Sequence, residues 1–256
     1  MTTQHPTPVS LVTGGAGALG SAIAHRLASN GDTVLIFDNN AEAARDQAQR
    51  IAEATGSHVE AHTVNLTEQA SIRESMADVG QRYGRLDRLV NNAAFNPKTS
   101  LERTATEEWD STMAVNLRAP MALCQAALPI WQATRSGRIV NITSRTWLAG
   151  GPTAYVTSKA GIVGLTRSLA VELGPLGVTA NAVAPSMVAT PFTRGGRTEE
   201  EFAAFTERHT RMSPLGRLAT AEDIVDAVEF LASAKASFIT GEVLHVCGGA
   251  QLATAP

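Results

Sequence analysis

Short apolar runs rich in valine, isoleucine and leucine alternate along the chain with longer stretches whose apolar residues recur at helical spacing. The runs are VSLVT from Val9, TVLIF from Thr33, HVEAHTV from His58, LDRLV from Leu86, RIVNIT from Arg138, VTANAVA from Val178 and EVLHV from Glu242. Alternation of this kind predicts parallel strands joined by crossover helices. Continuous runs such as TVLIF suit strands buried on both faces, as a parallel sheet requires. The pattern therefore predicts an α/β fold with about seven strands. The first helix is predicted to open near Ala18 and to stop around Asn30-Gly31, where glycine supplies the left-handed residue that ends a helix. No repeat, low-complexity tract or Pro/Ser-rich linker divides the chain, so residues 1–256 are read as a single domain. Residues 186–216 carry RGGRTEEEF and much charge, and are expected to form an excursion with its own helix that acts as a lid.

Composition narrows the function classes. With 256 residues and 44% apolar content, the chain is long enough for a sizeable core without staples. Lys and Arg number 21 against 24 Asp and Glu, a formal charge of 21 − 24 = −3, which gives nucleic acid no basic footprint. No run of apolar residues is long enough to span a bilayer, so no membrane role is expected. Cys124 and Cys247 form neither a disulfide framework nor a CxxC pair, and a reducing cytoplasm is the expected location. The opening MTTQHPTPVSLVTGG has no basic segment followed by an apolar one, so no secretion signal is read. His58 and His62 lie in a strand-like run without a third ligand, and no metal is expected.

The strand VSLVT runs into Thr13-Gly14-Gly15-Ala16-Gly17-Ala18-Leu19-Gly20, and a helix follows. Glycines there let the backbone turn tightly and approach a pyrophosphate, whose charge meets the unpaired N–H groups of the helix. Gly15, Gly17 and Gly20 also satisfy GxGxxG by letter. Eighteen residues past Gly20 stands Asp38, where a carboxylate can accept from adenosine ribose hydroxyls; capping of the next helix is the alternative. The same carboxylate repels a 2′-phosphate, so NAD is expected and NADP disfavoured.

Tyr155 and Lys159 stand four residues apart in AYVTSKAGIVGLTRSLAVEL, so both side chains share one helix face. A free phenol has a pKa of about 10, and a nearby ammonium favours its ionised form. One lysine exposed to water is too weak for the whole shift, so a positive nicotinamide ring and exclusion of solvent must contribute. Ser144 falls at the C-terminal end of RIVNITS, the sheet edge where ligands of open α/β sheets bind, and its hydroxyl suits a substrate oxygen. Thr143 and Thr146 are alternatives for that role. Arg145 and Trp147 follow in the loop and are expected to line the substrate pocket; core packing is the other reading of Trp147. Arg145, Arg194 and Arg197 are candidates to meet an anionic group, with an ordinary surface position the preferred reading.

These landmarks, with NNAA from Asn91, Asn116 in MAVNL, NAVAPSMVAT from Asn181 and ITGEVLHVCGG from Ile239, resemble the short-chain dehydrogenases/reductases over nearly the whole chain. The resemblance implies a Rossmann-type, doubly wound parallel sheet with helices on both faces. It implies Tyr155 as general acid/base, Ser144 positioning the reacting oxygen, Lys159 holding the nicotinamide ribose, and Asn116 anchoring a proton-relay water. Thr13, Gly14, Gly17, Ala18, Leu19, Gly20, Asp38, Asn39, Asn65, Leu66, Asn92, Ala93, Ala94, Pro185, Val188 and Thr190 are the implied cofactor contacts, with Tyr155 and Lys159. A homotetramer is implied too, with helices near 106–134 and 152–174 packed across a two-fold axis.

The chain departs from the family pattern in several places. Ala18 replaces a glycine of the turn, which predicts weaker or shifted cofactor binding. Asn65 replaces the usual aspartate, although its carbonyl still suits the adenine amino group. NNAA stands for NNAG, Pro185-Ser186 for Pro-Gly, Cys247 for the aspartate of VDGG, and the Ser144–Tyr155 interval is short by about two residues. The function expected is oxidation of a secondary alcohol, or the reverse reduction of a ketone, by hydride transfer with NAD. The alternatives are an NADPH-dependent 3-oxoacyl thioester reductase and a catalytically silent cofactor-binding scaffold.

Overall fold

The structure, a computed structural model, describes residues 7–252. Seven strands, β1 Val9–Thr13, β2 Thr33–Asp38, β3 Val59–Thr63, β4 Arg88–Asn91, β5 Gly137–Ile142, β6 Val178–Pro185 and β7 Val243–Val246, form one sheet. Their order is β3-β2-β1-β4-β5-β6-β7, with every pairing parallel. Each predicted apolar run supplies one strand. The run from His58 gives the shorter β3, whose single neighbour in the sheet is β2 and whose side chains are half-exposed.

Period-two alternation sends successive strand residues to opposite faces. Leu11, Leu35, Leu89 and Ile139 pack against α3 (Gln69–Tyr83), α5 (Ala119–Thr134) and α7 (Thr153–Leu173). Val12, Ile36, Val90 and Val140 pack against α1 (Ala18–Ser29), α2 (Ala41–Thr55) and α10 (Ala221–Ala232). Trp131 of α5 is fully buried and donates from Nε1 to the Leu86 carbonyl at 2.9 Å. Trp131→Ala is expected to cost about 3–5 kcal/mol by urea unfolding, because a large cavity and an unpaired carbonyl remain.

Strand order reverses between β1, whose next strand is β2, and β4 on its other side, so the loops leaving their C-terminal ends diverge and open a crevice. Three features complete its rim. α4 (Thr106–Met113) continues through a π-helical turn, Ala114–Arg118, into α5. The short α6 (Thr146–Ala149) follows β5. The excursion 186–216 contains α8 (Pro191–Arg194) and α9 (Glu199–Met212), closed at their N-termini by capping boxes from Thr190 and Thr198. Among the described residues, no helix is long and apolar enough to cross a membrane.

Candidate active site

The crevice is a cleft of about 830 Å³. At one end lies the glycine turn. Gly14 has φ +64°, and a Cβ there would meet Ala93 Cα at 2.9 Å. A Cβ on Gly20 would overlap the Gly14 carbonyl oxygen and approach Asn92 Nδ2 to 2.7 Å, so only hydrogen fits. Asn92 fastens the turn from the other side, donating to the Thr13 carbonyl at 2.9 Å. Gly17, the N-cap of α1, supplies no side-chain cap, which leaves first-turn N–H groups for a ligand. Ala18 sits in the first turn of that helix, a conformation alanine adopts readily.

Asp38 ends β2 on the cleft wall. One carboxylate oxygen accepts from Ala16 N–H at 3.1 Å and the other from Asn40 N–H at 3.0 Å, leaving each oxygen a second acceptor site. The cap of α2 is Asn40, which accepts from Ala43 N–H at 3.1 Å; this removes the capping alternative for Asp38. Asn39, Asn65 and Leu66 line the same end. The Asn65 carbonyl, expected to meet adenine, accepts from Thr67 N–H at 3.0 Å and Thr67 Oγ1 at 2.8 Å. The glycine cradle, open helix N-terminus and carboxylate together fit a dinucleotide.

At the other end α7 delivers Tyr155 and Lys159 to the cleft beside Ser144, with Pro185, Val188 and Thr190 on the opposing wall. Lys159 Nζ donates to the Ile142 carbonyl at 2.7 Å and stands 5.6 Å from the Tyr155 ring centre. Burial pushes the Lys159 ammonium down to about 8. Burial pushes the Tyr155 phenol up to about 12, against a hydrogen bond with Ser144 that favours the phenolate. The sequence pointed to Lys159 as the group that lowers the phenol. In the structure Ser144 bonds the phenol directly, while the Lys159 ammonium donates to the β5 carbonyl and stands near the ring.

Four expected residues lie behind the lining rather than in it. Thr13 is buried, and its hydroxyl accepts from the N–H groups of Asn92 and Ala93, both at 3.0 Å, which fixes the β4 loop. Asn116 is buried in the π-helical turn, where it bonds both the N–H and the carbonyl of Phe95 and donates to Ser158 Oγ at 3.0 Å. Ser158 in turn donates to the Tyr155 carbonyl at 2.7 Å. Trp147 donates to His245 Nε2 at 3.2 Å and stacks on that ring, outside the lining. Arg145 too lies outside the cleft lining, and is 6% exposed rather than on the surface. The backbone after Ser144 turns into α6, which carries both side chains away from the cleft.

Residues outside the sequence reading complete the site. Phe95, Ser111, Val115 and Phe192 line it, and Phe192 lies 6.5 Å from the Tyr155 ring, centre to centre. Thr143, an alternative to Ser144, donates to the Lys159 carbonyl at 2.7 Å and so positions α7. Ser158 was legible as the residue one turn from Tyr155; the lining phenylalanines carried no signal beyond apolar character. Glu60 bonds His58 Nε2 at 2.6 Å and lies 3.4 Å from His62 Nε2. Among the described residues no group of three His, Cys, Asp or Glu side chains is arranged to hold a metal.

A family model described as enoyl-(acyl carrier protein) reductase matches residues 14–251. A 3-oxoacyl-[acyl-carrier-protein] reductase of Aquifex aeolicus is 40% identical, over 94% of this chain and 96% of its own. The (2S)-[(R)-hydroxy(phenyl)methyl]succinyl-CoA dehydrogenase subunit BbsD of Thauera aromatica is 37% identical, over 95% and 96%. The crystal structure of levodione reductase superposes with a TM-score of 0.90 at 29% identity, covering 96% of this chain and 98% of the other.

Proposed function

The chain belongs to the short-chain dehydrogenase/reductase family of nicotinamide-dependent oxidoreductases, and on that premise we propose that it interconverts a secondary alcohol and a ketone with NAD. The observation that carries the reading is the cleft itself, with Asp38 at one end and Ser144, Tyr155 and Lys159 at the other. When bound, the nicotinamide supplies the hydride acceptor for oxidation or the donor for reduction. The glycine turn and the N-terminus of α1 bind the pyrophosphate, and Asp38 receives the adenosine ribose hydroxyls. Ser144 holds the reacting oxygen, Tyr155 moves its proton, and Lys159 binds the nicotinamide ribose. Asn116 is a positioning residue, joined through Ser158 to the backbone of Tyr155. The 186–216 excursion serves as the lid that excludes water. The protein works in the cytoplasm as a homotetramer, and a monomer by light scattering at micromolar concentration would refute that assembly.

Reduction of a 3-oxoacyl thioester is the second reading, favoured by the name of the Aquifex aeolicus relative. Asp38 separates the readings where cofactor is concerned. A ribose diol donates to the carboxylate, whereas a 2′-phosphate brings about two negative charges against it. Charged hydrogen bonds contribute roughly 1.5–3 kcal/mol each, so kcat/KM is expected to favour NAD over NADP by about tenfold to a hundredfold. Asp38→Ala is expected to erase most of that preference. Equal or better use of NADP by the wild type would overturn the NAD assignment.

A further inference from the structure

Two phenylalanines stand partly in water where they line the cleft. Phe95, on the loop after β4, is 42% exposed, and Phe192, in α8 of the excursion, is 44% exposed; both line the cavity that holds Ser144 and Tyr155. An apolar ring left in water forgoes the stabilisation that a covering apolar group would supply. Each phenylalanine is held close to the reacting groups. The Phe192 ring lies 6.5 Å from that of Tyr155 and is tilted to it by 49°, a favourable aromatic geometry. Asn116 bonds both the N–H and the carbonyl of Phe95, and reaches the Tyr155 backbone through Ser158. Lys98, on the same loop as Phe95, donates from Nζ to the Phe192 carbonyl at 2.9 Å, which ties the two walls together.

Charged side chains are scarce at this end. Those that line the cleft are Asp38, at the opposite end, and Lys159, which the cofactor reading engages. The nearby cations are turned elsewhere. Lys98 Nζ donates also to the Thr193 carbonyl. Arg197 donates to the carbonyls of Thr193 and Arg194 with its guanidinium over the Phe205 ring, and Arg194 pairs with Glu199. Arg145, next to Ser144 in sequence, bonds Met212 Sδ of α9 at 3.6 Å and stays outside the lining. The chain neighbours of the two phenylalanines, Ala94 and Pro191, line the cleft, as does Val115. A carboxylate or phosphate brought here loses its hydration with no counter-charge to meet it. An uncharged apolar group is stabilised by leaving water and covers both rings as it does so.

We infer that the substrate is an uncharged secondary alcohol, or its ketone, with an aromatic ring directly on the carbinol carbon, and that Phe95 and Phe192 receive that ring. This rests on the alcohol/ketone reading above and names the substrate class for it. Ser144, Tyr155, Phe95 and Phe192 share one cavity, so a single small molecule meets all four. Phe192 stands one ring-to-ring contact from the Tyr155 phenol, so a ring attached to the carbinol carbon reaches it without a spacer. A flat ring presents an edge or a face to each phenylalanine, which a flexible acyl chain does not, and it loses less conformational freedom on binding. The two phenylalanines are thereby specificity-determining residues, acting on the substituent while Ser144 and Tyr155 act on the oxygen.

The test compares kcat/KM at saturating cofactor for 1-phenylethanol against 2-butanol, and for methyl mandelate against mandelate. The wild type is expected to favour 1-phenylethanol by about tenfold to a hundredfold, the effect of covering a ring-sized apolar group. The ester is expected to exceed the acid by at least about tenfold, because the acid brings an unmet charge. Phe95→Ala and Phe192→Ala are each expected to lower the phenylethanol-to-butanol ratio by about tenfold, and comparing variants cancels the intrinsic ease of benzylic oxidation. Phe192→Leu, which keeps apolar bulk without an aromatic face, is expected to fall in between, about threefold down. NAD affinity by fluorescence titration should stay near wild type in all three; weakened NAD binding with an unchanged ratio would assign the rings to the cofactor and overturn the proposal. A wild type that treats the two alcohols alike, or uses mandelate as well as its ester, overturns it too, as does a preference that survives both alanine substitutions. If no alcohol is turned over with NAD or NADP, the alcohol/ketone reading fails separately. The Tm of the NADH-loaded protein with acetophenone or 2-butanone then decides the ring site alone. A rise with acetophenone that Phe192→Ala abolishes supports it, and no rise, or an equal rise with 2-butanone, refutes it.

Discussion

Tyr155→Phe is expected to lower turnover by about 10²–10⁴, the usual contribution of general acid/base catalysis, while leaving NAD affinity near wild type. Phenylalanine keeps the ring that faces Phe192 across the cleft and removes the hydroxyl bonded to Ser144. The loss therefore falls on kcat and not on cofactor binding, and single-turnover kinetics with NAD titration by fluorescence read the two apart. Near-normal turnover would remove Tyr155 from the mechanism. The pH dependence has a defined sign. With the phenol pushed up to about 12, Tyr155 is neutral throughout the physiological range and ready to donate a proton to a ketone oxygen. Ketone reduction is then expected to be flat with pH up to about 8, where Lys159 starts to lose its charge, and to decline above it. Alcohol oxidation, which needs the phenol as acceptor, is expected to rise with pH over the lower part of that range.

Sequence pattern revealed most where local chemistry and fold coincide. TVLIF is apolar throughout because β2 is buried on both faces, and its boundaries follow directly. HVEAHTV has its one sheet neighbour in β2, so its polar residues blur the ends of β3. The glycine turn was legible because close backbone approach excludes side chains, as the Gly20 geometry requires. Backbone partners were not legible. No letter announces that Lys159 bonds the Ile142 carbonyl, or that Thr13 braces the β4 loop. The direction of Arg145 was equally hidden, since it depends on the single turn of α6 and on α9, far along the chain. An arginine in a polar loop looks like surface until the fold closes over it.

Lys159→Met is expected to damage binding and turnover together, which sets it apart from Tyr155→Phe. The ammonium is buried beside the cleft, and Thr143 Oγ1 holds the Lys159 carbonyl at 2.7 Å, so both ends of the residue are tied to the end of β5. Methionine preserves much of the stem and removes the charge. Loss of charged hydrogen bonds to the nicotinamide ribose, roughly 1.5–3 kcal/mol, predicts NAD binding weaker by about tenfold to a hundredfold. Loss of the positive field on the developing phenolate adds about a further tenfold for each pKa unit it supplied. Together they predict a fall in kcat/KM on the order of 10²–10³. Unchanged NAD affinity would sink the ribose role, and an unchanged kcat the electrostatic one. Stability supplies an independent check. The folded protein holds this ammonium at about 8 against an ordinary 10.5, so charging it opposes folding fully below pH 8, and the penalty fades as pH rises towards 10.5. The variant is therefore expected to gain more in Tm over wild type at pH 7 than at pH 10. A larger gain at pH 10 would show that Lys159 is not carried as a buried, uncompensated cation.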